Sequence, residues 1–219
     1  IKYSAIAFLL LSIQVIRAQN TVCFDITANP NANSTAFSSF TKYIHVLDCF
    51  SIYAESSIPD EKVLHVASVA AELLDNDEDG AVDDPLLKAE LASNNALIPI
   101  FAYDGSPAMD NFFDHYDGEG AAAVLWRNEI DPNNPGYWGA DATVEEVVHV
   151  INAIGHTNIY PSAFAVEPNS SLLTTAMDVA RGGQFIQHPN NYPPESWYHY
   201  DDYTCDYECM AIEYLYWCI

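Results

Sequence analysis

The chain has 219 residues, 31 of them acidic against 7 basic, for a formal net charge of −24. That length suits one globular domain, or two small ones at most, and a sequence that is half apolar and 13% aromatic is no disordered acidic tail. The charge excludes an ordinary nucleic-acid binder, which needs cations to neutralise phosphates, and disfavours docking on anionic lipid.

Residues 1–18 pair an early cation, Lys2, with an apolar stretch from Ala5 to Ile16 and a small Ala18, the pattern of a secretory signal peptide. The stretch is too short, and too interrupted by Gln14, to span a bilayer, and no membrane span is expected once it is removed. Removal takes Lys2 and Arg17 and leaves 5 basic residues against 31 acidic ones, a balance of −26. One globular domain over residues 19–219, secreted and extracellular, is the expectation. The first residue is Ile and the last residues are apolar, so both ends look cut.

Secretion permits disulfides among Cys23, Cys49, Cys205, Cys209 and Cys218. Cys23–Cys49 and Cys205–Cys209 is the preferred pairing, with Cys218 left over. Other connectivities stay open, as does zinc ligation by Cys205 and Cys209. Asn33 and Asn169 lie in glycosylation acceptor sequences, so a glycoprotein is expected from a eukaryotic source.

In chain order, Phe37, Phe40, Tyr43, Ile44, Leu47 and Phe50 recur at helical spacing and predict a helix. A second helix is expected from about Asp60 to Leu74, and a short one from Pro85 to Ser93. Ala96–Tyr103 reads as a strand that Pro99 demotes to an edge. Ala121–Ile130 reads as another strand. Helices are expected over Thr143–Ile154, stopped by Gly155, and over Ser170–Arg181, stopped by Gly182 and Gly183. Residues 184–197 read as loop, and Cys205 to the end as an aromatic helix. The sum is an α+β chain, predominantly helical, with a small sheet and a disulfide-pinned C-terminal aromatic helix. His45 and His65 fall within apolar helices and read as satisfied core histidines. Arg127 and Arg181, scarce cations in an acidic chain, each read as the anchor of a carboxylate network.

Two segments carry chemistry. Asp75, Asp77 and Asp79 occupy alternate positions after a helix, followed by Gly80, apolar Val82, Asp83 and Asp84. Alternate carboxylates converge on one point, and glycine permits the sharp turn. The loop resembles EF-hand and related calcium loops, which implies calcium ligation by Asp75, Asp77, Asp79 and Asp83. It departs from them at position twelve, where Leu86 stands for the bidentate Glu, and Asp84 or a residue elsewhere would supply that ligand. Asp114–Glu119 is a further oxygen-rich stretch without diagnostic spacing.

The second segment runs from Asp141 to His156. Val144, Val147, Val148, Ile151 and Ile154 form a core face, while Glu145, His149, Asn152 and His156 align on a neighbouring one, with Glu146 beside them. A Glu and a His one turn apart can bind one metal ion, and an adjacent carboxylate can activate water. Thr143 and Glu146 also read as a capping box, a purely structural use of the same residues.

The segment resembles the metal-binding helix of zincin metallopeptidases, whose motif is His-Glu-x-x-His. Glu146 matches the general base and His149 the second histidine ligand, while Glu145 replaces the first histidine. The resemblance implies a zincin-like domain with an edge strand before the helix, here Ala121–Ile130. It also implies zinc held by Glu145, His149 and a later Glu, for which Glu213 is the candidate. His199 or Tyr200, in an aromatic stretch before Cys205, would steady an oxyanion.

Two functions are expected from different classes. One is a secreted zincin-like metal-dependent peptidase braced by calcium, acting on a peptide substrate. The other is a non-catalytic calcium-binding matrix, adhesion or mineral-associated protein, whose acidic surface recruits cations or basic partners. Serine-hydrolase, phosphate-loop and dinucleotide motifs are absent from the sequence.

Overall fold

Thr27–Ala28 (β1), Phe40–Val46 (β2) and Phe50–Glu55 (β3) form an antiparallel meander in the computed structural model, which describes residues 24–135 and 140–219. The expected signal peptide and Cys23 lie outside the described residues. The helix expected over Phe37–Phe50 is therefore a hairpin. Its turn is made by Leu47 and Asp48, at φ of 47° and 60°, with Cys49 N–H donating to Val46 O at 3.0 Å. Consecutive left-handed residues match the twist of the flanking strands. The helical spacing of the aromatics misled because a second period runs through the same segment: Ile44, Val46, Phe50, Ile52 and Ala54 alternate and are all buried. A register irregularity between Phe40 and Lys42 turns Phe40 to the opposite sheet face from Ile44 and Val46.

Leu97–Phe101 (β4) and Leu125–Trp126 (β5) extend the sheet in parallel, giving the order β1-β2-β3-β4-β5. β4 is thus an interior strand, not the edge that Pro99 suggested. β5 pairs only with Ile100 and Phe101, so the ladder on that side begins beyond Pro99 and asks no N–H of it. All five β4 residues are buried, as an interior strand covered on both faces requires. The strand expected over Ala121–Ile130 shrinks to β5, followed by a 3-10 turn over Arg127–Glu129.

The helices are Asp60–Leu74 (α1), Pro85–Ser93 (α2), Pro107–His115 (α3), Thr143–Val150 (α4), Thr157–Ile159 (α5), Pro161–Phe164 (α6), Leu172–Ala180 (α7) and Tyr207–Tyr216 (α8). α1 buries Val63, Val66, Ala67, Ala70, Ala71 and Leu74 along one stripe. Each buried Val or Leu contributes about 1.5–3 kcal/mol, enough to set the helix on the sheet without a side-chain cap. α1, α2 and α4 share the main core with Ile44, Ile52, Ile98 and Ile100. On the other face Phe40, Phe101 and Phe112 meet with ring centroids 5.4–6.0 Å apart. A third cluster joins α7 to α8.

Gly155 does not stop the α4 helix. The chain continues through a π-helical segment, Ile151–His156, into α5. Gly155 is there for closeness: a Cβ on it would lie 2.4 Å from Leu87 Cδ1 of α2. Cys205 and Cys209 form a disulfide at the start of α8, whose N-cap, Asp206, accepts from Cys209 N–H at 3.0 Å. Cys49 is buried and Cys218 exposed, with no disulfide partner for either among the described residues. No helix among the described residues is long and apolar enough to cross a membrane.

Candidate metal centre

Asp141 sets the start of α4. Its Oδ1 accepts from the Thr143 hydroxyl at 2.6 Å and from the Thr143 and Asp131 amides, both at 3.3 Å, while Oδ2 lies 2.9 Å from His65 Nε2 of α1. The cap is therefore Asp141 and not the Thr143–Glu146 box: Thr143 is already the first helical residue, and no side-chain cap acts at Ala142. This leaves the Glu146 carboxylate free of the helix terminus. His65 is the satisfied histidine expected, whereas His45 lies exposed on β2. Arg181 is fully buried against Asp178; exposed Arg127 pairs with no carboxylate among the described residues.

One turn into α4, Glu145 and His149 face α8, and ligand atoms of Glu145, His149 and Glu213 all lie within 4.8 Å of one another. His149 Nε2 is 3.9 Å from Glu213 Oε2, and His149 Nδ1 is 3.5 Å from Glu146 Oε2. His149 is 8% exposed and Glu213 9%, yet Nε2 of the first and Oε2 of the second are buried without any hydrogen-bond partner. A buried orphan polar atom costs about 1–3 kcal/mol, so two of them facing each other call for a third party. The donor set of one imidazole and two carboxylates suits zinc.

The electrostatics point the same way. Burial pushes the Glu145 carboxyl up to about 7, helped by repulsion from Glu213 and Glu146. Three carboxylates crowded around one imidazole favour a proton or a cation among them. For His149, burial pulls the imidazole down, but the hydrogen bond and charge of Glu146, with Glu213 and Glu145, outweigh it and leave the group above its ordinary value.

A cleft of 310 Å³ opens on Glu146 and His149, walled by the irregular segment Ala121–Val124 ahead of β5, by Trp126 and by exposed Phe113 of α3. Behind Trp126, Glu129 accepts from the Trp126 amide at 2.8 Å, and burial, then the charges of Glu146 and Asp104, push its carboxyl up to about 7. A carboxyl raised on folding favours the folded state only while protonated. Its penalty is absent below the unfolded value near 4.5 and complete above about 7. Glu129→Gln, which keeps the acceptor, is expected to raise the unfolding midpoint at pH 8 by about 2–4 °C and to change nothing at pH 4, as thermal melts at both pH values will read.

His199 is exposed and lies flat on Tyr192, with centroids 4.6 Å apart, while Tyr200 feels the charge of Glu213. Burial and the Glu213 charge raise the Tyr200 hydroxyl. His156 is not brought to the centre; it stacks on Phe164 at 4.8 Å, and burial lowers its imidazole. Asn152 of the π-helical segment is fully buried, with neither amide atom partnered.

In the acidic loop, ligand oxygens of Asp75, Asp77 and Asp83 lie within 4.8 Å of one another. Buried Asp75 accepts from the amides of Asp79 at 3.1 Å and Gly80 at 2.8 Å, and Gly80 adopts φ of 88°. Asp79 does not join the group; its Oδ1 accepts from Ala81 N–H at 3.0 Å. Repulsion from Asp79 first, then the cost of losing water and the charge of Asp83, raises the Asp77 carboxyl. Asp84 is used elsewhere, as the N-cap of α2 and the acceptor of the Tyr160 hydroxyl at 2.8 Å. Asp114, Asp117 and Glu119 are exposed and form no comparable cluster among the described residues. Comparisons with protein-family models, with curated proteins and with solved structures gave no match.

Proposed function

We propose that this chain is a secreted, zincin-like metal-dependent hydrolase acting on peptides, with zinc held by Glu145, His149 and Glu213 and structural calcium in the Asp75–Asp83 loop. The observation that carries the reading is the pair of orphan atoms, His149 Nε2 and Glu213 Oε2, buried 3.9 Å apart beside the Glu145 carboxyl. A zinc ion bound there supplies Lewis acidity, polarising a carbonyl and lowering the pKa of water. Glu146 borders the cleft and accepts the proton of the attacking water at its carboxylate. The same carboxylate, 3.5 Å from His149 Nδ1, fixes the imidazole with Nε2 toward the ion. Ala121–Val124 and Trp126 form the wall along which a peptide lies. The Cys205–Cys209 disulfide fits an extracellular setting.

Elemental analysis of protein purified without chelator tests the reading. About one zinc per chain is expected, lost in His149→Ala and retained in Asp77→Ala. Glu146→Gln is expected to keep the zinc and lower peptide turnover by at least about a hundredfold. Zinc retained together with undiminished turnover in Glu146→Gln overturns the hydrolase. Calcium alone, lost in Asp77→Ala, moves the reading to a calcium-binding matrix or adhesion protein, which the exposed Asp77 and Asp83 favour.

A further inference from the structure

A second cleft, of 380 Å³, lies on the aromatic side of the sheet, away from His149. Its floor is β2 and β3; its rim is the turn after α2 and the segment after α3. Tyr43 and His45, two apart on β2, stack at 15° with centroids 6.2 Å apart, and Tyr53 packs against Tyr43 at 4.9 Å. Ser51 Oγ holds both β2 rings, at 3.3 Å from Tyr43 Oη and 3.2 Å from His45 Nδ1. The Tyr53 hydroxyl accepts from Asn31 Nδ2 at 2.8 Å, which leaves its own proton to be donated. The aromatic surface is thus fixed in advance, so little side-chain freedom is lost when a ligand covers it.

The rim supplies planar polar groups. Asn95, held in the left-handed region at φ of 52°, Asp117 and Glu119 have side chains with no hydrogen-bond partner among the described residues. No Lys or Arg lines the cleft, and its two carboxylates repel phosphate, sulfate and carboxylate ligands. At Lys42 and Tyr43 the floor offers a peptide strand no free edge, because β2 is paired there by both β1 and β3. This lining suits a ligand with C–H faces for the rings and many neutral hydroxyls for the amide and carboxylates.

We propose that this cleft binds a neutral oligosaccharide, with sugar rings resting on Tyr43 and His45 and their hydroxyls bonded to Asn95, Asp117 and Glu119. The site is separate from the metal centre and does not depend on the hydrolase reading. Carboxylates accept from pairs of neighbouring hydroxyls more strongly than neutral groups do, and the electron-rich face of an aromatic ring attracts polarised C–H bonds. The volume has room for a short stretch of a chain rather than a whole polymer.

Titration calorimetry of the intact, metal-loaded protein with cellopentaose, chitopentaose and maltopentaose tests this. At least one is expected to bind with a Kd between about 10 μM and 1 mM. Tyr43→Ala, Asp117→Asn and Glu119→Gln are each expected to weaken that binding about fivefold to tenfold, with zinc and calcium content unchanged. Tyr43 packs on Tyr53, so the exposed His45→Ala serves as a variant that leaves the core alone and carries the same expectation. Failure of all three sugars to bind at millimolar concentration overturns the proposal. So does binding that survives His45→Ala and both carboxylate changes, or binding of heparin in preference to all three.

Discussion

Treatment with phenanthroline, which takes zinc but spares calcium, is expected to lower the thermal unfolding midpoint of the wild-type chain by about 8–16 °C and to leave His149→Ala unmoved. The size follows from mass action: a ligand at a thousand times its dissociation constant stabilises the folded state by about 4 kcal/mol, and a chain of this length shifts by about 2–4 °C per kcal/mol. The direction follows from the geometry. Without a cation, His149 Nε2 and Glu213 Oε2 are buried and unbonded, and the Glu145 carboxyl is pushed up to about 7. Zinc held by Glu145 and His149 would require both without their protons, so the increment is expected to grow with pH. Glu145 stands near 7 and His149 above its ordinary value. Melts with and without phenanthroline should therefore differ more at pH 8 than at pH 6, where protons compete for the same ligands. An increment that is equal at both pH values, or that persists in His149→Ala, would place the zinc elsewhere.

The grouping of Glu145 with His149 was legible because the two share a helix. Glu145 and His149 stand four residues apart, and a helix converts that spacing into a common face wherever the rest of the fold goes. Glu213 was harder, since only the oddity of an acid among Ile212, Leu215 and Trp217 marked it, and its partner depends on how α8 docks. Tertiary choices hid the rest. Nothing local separates His199 from Tyr200; Tyr192 takes the first ring, and the second lies within the field of Glu213. The hairpin of β2 and β3 was lost to a coincidence of aromatic spacing, and Pro99 looked like an edge because the shortness of β5 cannot be read from β4. Asp79 matched the calcium pattern, but its carboxylate bonds to the next turn of its own loop. Motif spacing reports which side chains can meet; competing local hydrogen bonds decide which do.

Arg181→Met is expected to cost about 3–5 kcal/mol and about 6–20 °C, and to weaken zinc binding although Arg181 touches no ligand. Arg181 is fully buried, with Nη2 3.0 Å from Asp178 Oδ1, Nη1 donating to Phe185 O at 3.3 Å, and its guanidinium 5.3 Å from the Tyr207 ring. The Tyr207 hydroxyl donates to the same Asp178 at 2.9 Å. Removing the cation leaves Asp178 partly buried and uncompensated, and breaking one partner of such a pair costs more than the pair itself contributes. Tyr207 and Met210, which the Arg181 side chain touches, open the helix that presents Glu213 one turn later. A shift of α8 therefore moves the one proposed zinc ligand that does not belong to α4. Arg181→Met with Asp178→Leu replaces the ion pair by apolar contact and is expected to recover most of the stability and the zinc affinity together. Recovery of the melt without recovery of zinc would mean that Arg181 positions Glu213 by its hydrogen bonds, and full zinc affinity in Arg181→Met alone would show that α8 is held by the main core instead.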